Sequence, residues 1–295
     1  MKHMRNLRLM MASTAFLALA GPSFALDGAD MMKKLNAATS AGGTVITFEK
    51  ADVDGDTVTA TGVQVGYANL PGDTLKIGEL TFEGVEETEG GGYHAKTVSF
   101  PDIDMSQEEG RFSAKDIEIA GLTIPANATG ETLNDILLYE TVSTGPIALN
   151  IKGKDVFAIE GIESNLERQD GGFTYDANVA GLKADLSQVE DASAKDAIEK
   201  LGLTTIDGTV TMKGSWEVDS GKIAVDEYAF DFKNIGRLNI AVDFSGYTLA
   251  FVKSLQEAVK TAEANPNKEE ANQAVGLAML GLMQQLTFNS ASIRF

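Results

Sequence analysis

The sequence predicts a β-dominated α+β protein: antiparallel sheets with a few amphipathic helices, two of them near the C-terminus. Three observations predict it. Glycines at 55, 72, 91 and 110 divide the first half into units of 17 to 19 residues. Inside those units apolar and polar residues alternate at the period of a strand. Segments 247–264 and 269–286 carry helical spacing instead.

The chain of 295 residues begins with Lys2, Arg5 and Arg8, then the apolar run Leu9 to Ala20, then Pro22 and the small-x-small triplet Ser23-Phe24-Ala25. This is the pattern of a cleaved export signal, residues 1–25, cut between Ala25 and Leu26. The apolar run is too short to anchor a chain in a bilayer, and no second long run follows. The chain has no cysteine. Disulfides, thiolate metal sites, a cysteine nucleophile and a lipid anchor on a cleavage-site cysteine are thereby excluded. The expected location is the periplasm.

Asp27 to Ser40 reads as a helix, with Asp27 as cap, Met31, Met32 and Leu35 on its apolar side, and Gly42-Gly43 as terminator. Strand units follow over 26–140. Tyr93, Ala95, Val98 and Phe100 follow Gly91, and Phe112, Ala114, Ile117 and Ile119 follow Gly110 at the same offsets. Val58, Ala60, Val63 and Val65 follow Gly55, and Leu75, Ile77, Leu80 and Phe82 follow Gly72, with the same spacings shifted by one residue. The gap of three in each unit reverses the apolar face unless the strand bulges or turns a corner there. Corners are therefore expected at Thr61-Gly62, Gly78-Glu79, Lys96-Thr97 and Lys115-Asp116. A plain antiparallel meander and an elongated repeat sheet both fit this rhythm.

A loop at Pro125 to Gly130 leads to an expected short helix over Thr132 to Tyr139, and Thr144-Gly145-Pro146 opens a second β region within 141–295. Strands are expected around 157–166 and 173–186, a helix over Ser187 to Leu201 ended by Gly202, and strands around 206–218, 223–233 and 238–244. Two helices broken by Asn265-Pro266-Asn267 come next. The run Val275 to Met283 reads as a helix buried on most sides, with a lid over an apolar ligand, using Met279 and Met283, as the alternative. The final LTFNSASIRF alternates like a strand and stops on Phe295. That ending resembles an outer-membrane barrel terminus, but the internal helices and the single Trp argue against a barrel. A chain cut short of its full length suits it slightly better.

Formal net charge is −19, and loss of the three basic signal residues would bring it to −22. Such a surface repels phosphate backbones and anionic headgroups, which excludes nucleic-acid binding. Asp52-Val53-Asp54-Gly55-Asp56 resembles a calcium loop, but Thr57 and Val63 stand where an EF-hand needs Gly and Glu. A solvated turn is the better reading. His94, the single histidine after the signal, faces away from the apolar positions and reads as an exposed strand residue. Glu83, Glu86, Glu87 and Glu89 before Gly90-Gly91-Gly92 read as a mobile loop tip. No catalytic, cofactor-binding or metal-ligating residue can be singled out.

The segments GDTVTATGVQV, LKIGELTFEGV, AKTVSF, AKDIEIAGLTIP, DEYAFDFKNIGRLNIAVDFSGY and GLAMLGLMQQLTFNSASIRF resemble uncharacterised exported β-rich proteins of alphaproteobacteria across the chain after the signal. The resemblance implies no activity, and it implies a chain continuing past Phe295. The rhythm of short strands is also loosely similar to AsmA-like envelope proteins, which implies a long curved sheet with an apolar groove and a role in lipid transport or outer-membrane homeostasis. The expectation is a secreted, non-enzymatic periplasmic protein of the cell envelope. Its expected partners are a lipid or other apolar ligand, or an envelope protein, with no transmembrane span after cleavage. A structural or partner-binding envelope module and a hydrolase using paired carboxylates are the alternatives.

Overall fold

The computed structural model describes residues 26–40, 42–67, 70–107, 110–188, 191–233, 235–264 and 268–295. The expected export signal at 1–25, Val189 and the Asn265-Pro266-Asn267 break lie outside the described residues.

Helix α1 (Gly28–Ser40) forms as its sequence requires: the Asp27 carboxylate accepts the Asp30 N–H at 3.0 Å, and Met31, Met32 and Leu35 are buried. Strands β1 (Thr44–Thr47) and β2 (Lys50–Asp54) are two pieces of one bent strand, because both pair antiparallel with β3 (Thr57–Tyr67). A meander follows through β4 (Leu70–Glu87), β5 (Tyr93–Ser99) with β6 (Ile103–Gln107), and β7 (Gly110–Ala114) with β8 (Glu118–Ile124). It continues through β9 (Thr141–Thr144) with β10 (Ile147–Ile151), β11 (Lys154–Ile159) with β12 (Gly161–Gln169), and β13 (Gly172–Asp185). β14 (Thr205–Glu217), β15 (Lys222–Phe232), β16 (Gly236–Ser245) and β17 (Thr287–Arg294) complete it. The result is a 17-stranded antiparallel sheet. Among the described residues no pairing joins β17 to β1 or β2, so the sheet is open and no barrel closes.

The corners fall where the gaps of three place them. Gly62 (φ +65°) is skipped at a register shift between β3 and β4, and Gly78 (φ +93°) stands opposite its neighbour Val63. Asp116 (φ +50°) turns the corner between β7 and β8. At Lys96 the turning is done by its neighbours: Lys96 is skipped in both ladders, and Gly84 and Gly121, on the flanking strands, adopt positive φ.

Helix α2 (Ala192–Leu201) is capped by Asp191 and closed by left-handed Gly202, and is shorter than the expected 187–201 because Leu186 to Gln188 form a 3-10 turn instead. Helices α3 (Leu249–Ala264) and α4 (Lys268–Met283) bridge β16 and β17. Three expectations are corrected. Thr132 to Tyr139 is not a helix: Thr132 and Asp135 form a capping box around a three-residue 3-10 turn, after which Leu138 bridges to Thr123 and the chain rejoins the sheet. The glutamates at 83, 86 and 87 lie within β4, because their backbone pairs with β5, and the turn is confined to Thr88–Gly92. The run in α4 is not buried on most sides, because α4 packs chiefly on α3 and leaves Leu277 and Leu280 in solvent.

The fully buried core lies in the first half: α1 covers Val58, Ala60, Val63, Phe82, Val85, Ala95 and Val98. Phe82→Ala is expected to cost about 3–5 kcal/mol, as for other buried aromatics, whereas Ile293→Ala, at a side chain 73% exposed, should stay within about 0.5 kcal/mol. Urea unfolding of both variants checks the contrast.

Candidate functional site

Directly opposed residues of an antiparallel pair share a face. Followed from strand to strand, the registers trace one unbroken cross-strand row. Val53 lies opposite Val58, Val58 opposite Phe82, Phe82 opposite Val98, and Val98 opposite Ile119. Ile119 lies opposite Val142, Val142 opposite Ser164, and Ser164 opposite Ala177. The row ends through Met212, Tyr228, Ile240 and Ile293. It crosses the sheet from β2 to β17; the hydroxyls of Ser164 and Tyr228 are its polar groups, and Ser164 has a hydrogen-bond partner in the Tyr139 hydroxyl at 3.2 Å.

Parallel rows widen this apolar face. Ile162, Val179, Val210, Phe230 and Leu238 form one, and Leu166, Tyr175, Gly214, Val225, Val242 and Ala291 another. Burial is graded along the face. Under α1, Val58 and Phe82 are 0% exposed; from β9 to β16 the same face is half-buried; Tyr228 is 37% exposed. Among the described residues no helix lies along the second half as α1 lies along the first: α2 packs on its adjoining 3-10 turn, and α3 and α4 pack chiefly on each other, with α3 meeting the face at Phe251. The other face carries ion pairs, among them Arg237 with Glu227 and Asp231, and Lys233 with Asp207.

An aromatic wall closes one side of the apolar face. Phe173 meets Trp216 edge-on at 5.4 Å, and Tyr247 contacts Trp216, Phe244 and Phe251. The Trp216 indole N–H donates to the Tyr247 carbonyl at 2.8 Å. This bond fixes the start of α3 against the rim. Nearby, Tyr139, Leu166 and Arg168 line a cleft of about 460 Å³ that also holds Glu140 and Glu167. The Arg168 guanidinium donates to Asn134 at 2.8 Å.

At the opposite end α1 is held by a small polar cluster. The Tyr93 hydroxyl donates to Asp30 at 2.8 Å, and Lys34 donates to Asp30 and to the Gly91 carbonyl. The hydrogen bond from Lys34 holds the Asp30 carboxyl below its ordinary range, and burial, reinforced by Asp30, pushes the Tyr93 hydroxyl up. Tyr93 therefore remains a protonated donor across the physiological range.

A kink device recurs that the sequence rhythm alone did not reveal. Gly62, Gly121 and Gly181 all have φ near +60°, and a Cβ on each would strike the side chain of Glu49, Glu140 or Glu160 respectively. In each case the glutamate N–H donates to the carbonyl just before the glycine. The shared Ala-Gly-Leu at 120–122 and 180–182, echoed by Thr61-Gly62-Val63, was the available signal.

The remaining candidates do not converge. Asp54 to Asp56 form a tight hairpin with Gly55 at φ +63°, and Asp52 pairs with Lys50. His94 lies on the face opposite the core, as expected, but is half-buried rather than exposed, with Nδ1 3.3 Å from the Thr123 hydroxyl. Among the described residues no three His, Asp or Glu side chains are grouped to hold a metal. The carboxylates with a resolved shift, Asp30, Asp104, Asp135 and Asp185, are all lowered, the direction opposite to a general acid's.

A family model described as an uncharacterized protein matches residues 229–295, from within β15 through β17. No curated protein and no solved structure matches the chain.

Tyr93→Phe should destabilise the fold by about 1 kcal/mol at pH 7. Asp30 has a lowered folded pKa, so its contribution is complete above the ordinary carboxylate range and is lost as pH falls through the folded value. The difference between wild type and Tyr93→Phe should therefore shrink as pH is lowered below the ordinary carboxylate range and through the folded Asp30 value, as read by denaturant unfolding along an acid pH series.

Proposed function

We infer that this is a non-enzymatic protein of the cell envelope, exported to the periplasm, whose sheet holds acyl chains or a similar apolar ligand along its uncovered face. One observation carries the reading: the apolar row that α1 buries in the first half continues, side chain by side chain, through the second half, where its side chains are half-buried and, among the described residues, no helix lies along it as α1 does. Leaving such a face in water is costly, roughly 25 cal/mol for each Å² of apolar surface. A large apolar surface bounded by polar strands marks a binding site. A face lined by Val, Ile, Leu, Phe and Met, with the hydroxyls of Ser164 and Tyr228 as the polar groups of the central row, suits a hydrocarbon, because it offers dispersion contacts and asks for few hydrogen bonds. An open trough built from a meander also accepts chains of differing length. The members of the three rows carry no charge, while the formal charge of −19 favours a dispersed protein.

A second reading, a partner-binding envelope module, is favoured by β17, whose residues are all exposed and which, among the described residues, pairs with β16 alone. The two readings differ in what occupies the molecule when it is isolated.

Native mass spectrometry of protein isolated from the periplasm is expected to show bound lipid. Met212→Asp combined with Ile240→Asp, which place two charges in the trough, should reduce the loaded fraction at least tenfold while cooperative unfolding persists. A lipid-free wild-type mass, or equal loading of the double variant, would count against the reading.

A further inference from the structure

We propose that the cleft beside Arg168 receives the headgroup of the ligand, and that this headgroup is zwitterionic, with a phosphate for Arg168 and an ammonium for Glu140 and Glu167. The proposal rests on the lipid-binding reading of the trough and names the class of amphiphile.

Strand alternation fixes where Arg168 stands. On β12 it follows Ser164 and Leu166 at alternate positions, so all three share the face of the trough. The register sets Arg168 opposite Phe173, and Phe173 opposite Trp216. The guanidinium therefore stands at the head of the aromatic wall, at the margin of the uncharged rows. The Leu166 N–H still donates to the Glu140 carbonyl at 2.8 Å. Beyond that bond Arg168 reaches the preceding chain with its side chain, donating to Asn134. Asn134 is itself fixed, because its N–H donates to the Thr132 hydroxyl, which in turn donates to Asp135. The cleft of about 460 Å³ opens here. Leu166, a member of an apolar row, and Tyr139, the partner of Ser164, line it together with Glu140, Glu167 and Arg168. Trough and cleft thus share a wall.

The charges of the cleft point to its occupant. It holds one cation and two carboxylates, and among the described residues none of the three is ion-paired. Arg111 and Arg237, by contrast, each hold a carboxylate. The Arg168 guanidinium keeps N–H donors beyond the one given to Asn134, in the fork that fits a phosphate. Glu140 is set in place by the kink device, its side chain lying where a Cβ on Gly121 would strike it. A simple anion would meet Arg168 but face two carboxylates, and a simple cation would face the guanidinium. A phosphate joined to an ammonium answers both signs. From such a headgroup an acyl tail passes Leu166 into the row of Tyr175, Val225 and Val242.

Trp216 is the single tryptophan of the chain, and its place across Phe173 from Arg168 makes its fluorescence the readout of binding. The probes are three single-chain lipids with the same acyl tail. Lysophosphatidylethanolamine carries both charges, lysophosphatidic acid the anion alone, and monoacylglycerol neither. Wild type is expected to bind the first about tenfold more tightly than either of the others, as charge-assisted hydrogen bonds allow. Arg168→Gln should remove that advantage over monoacylglycerol while leaving monoacylglycerol binding unchanged, which also shows that the variant folds. Glu140→Gln combined with Glu167→Gln should remove the advantage over lysophosphatidic acid. Equal wild-type affinity for the three probes, tightest binding of lysophosphatidic acid, or an advantage that survives Arg168→Gln would overturn the headgroup site and leave the trough standing. Binding of none of the three would instead overturn the lipid-binding reading of the trough, and the headgroup site with it.

Discussion

Everything in this fold depends on one mismatch: an antiparallel sheet makes an apolar face along its whole width, and among the described residues α1 is the one helix that lies along it. Strand alternation places Val58, Phe82 and Val98 on the same side as Met212, Tyr228 and Ile240. Met31, Met32 and Leu35 of α1 seal the first group. Among the described residues no helix lies along the second in the same way, and α3 meets it at the aromatic rim. The first half is accordingly a conventional core and the second an open surface made of the same material.

The glycine kinks preserve that face. A strand that bends without a compensating residue would send every later side chain to the opposite side. Placing left-handed glycines at 62, 121 and 181, each beneath a glutamate from a neighbouring segment, lets the sheet bend while the apolar rows stay in line. Bending and continuity are thus one requirement: without the kinks the sheet would lose either its curvature or its row. The Asp30, Lys34 and Tyr93 cluster has a different task, fixing α1 at the end where the core is built.

Much of this was legible in the residues. The helix at 27–40, the strand units, the β-dominated antiparallel class and the corners at Thr61-Gly62 and Lys115-Asp116 follow from period, capping and spacing, which are local properties. What was not legible depends on neighbours. Thr132 to Tyr139 has helical spacing, yet Leu138 finds a strand partner in Thr123, and that pairing outweighs local propensity. Val275 to Met283 looks like a core helix because apolarity does not say whether anything packs on it. Its exposure is a fact about α3 and the sheet, not about its own residues. The cross-strand row was invisible for the same reason, since register between strands cannot be read from one strand at a time.

The central claim is that the uncovered half of the face, and not the rest of the sheet, receives an apolar ligand. Photo-crosslinking from single positions tests it most directly, with a photoactivatable side chain placed in turn at Ala177, Met212, Ile240, Phe82, Asp176 and Lys213 in protein exposed to lipid. The account predicts lipid adducts at Ala177, Met212 and Ile240. It predicts none at Phe82, which α1 covers, and none at Asp176 or Lys213 on the opposite face. Equal adducts on the two faces, or none at the first three positions, would contradict it.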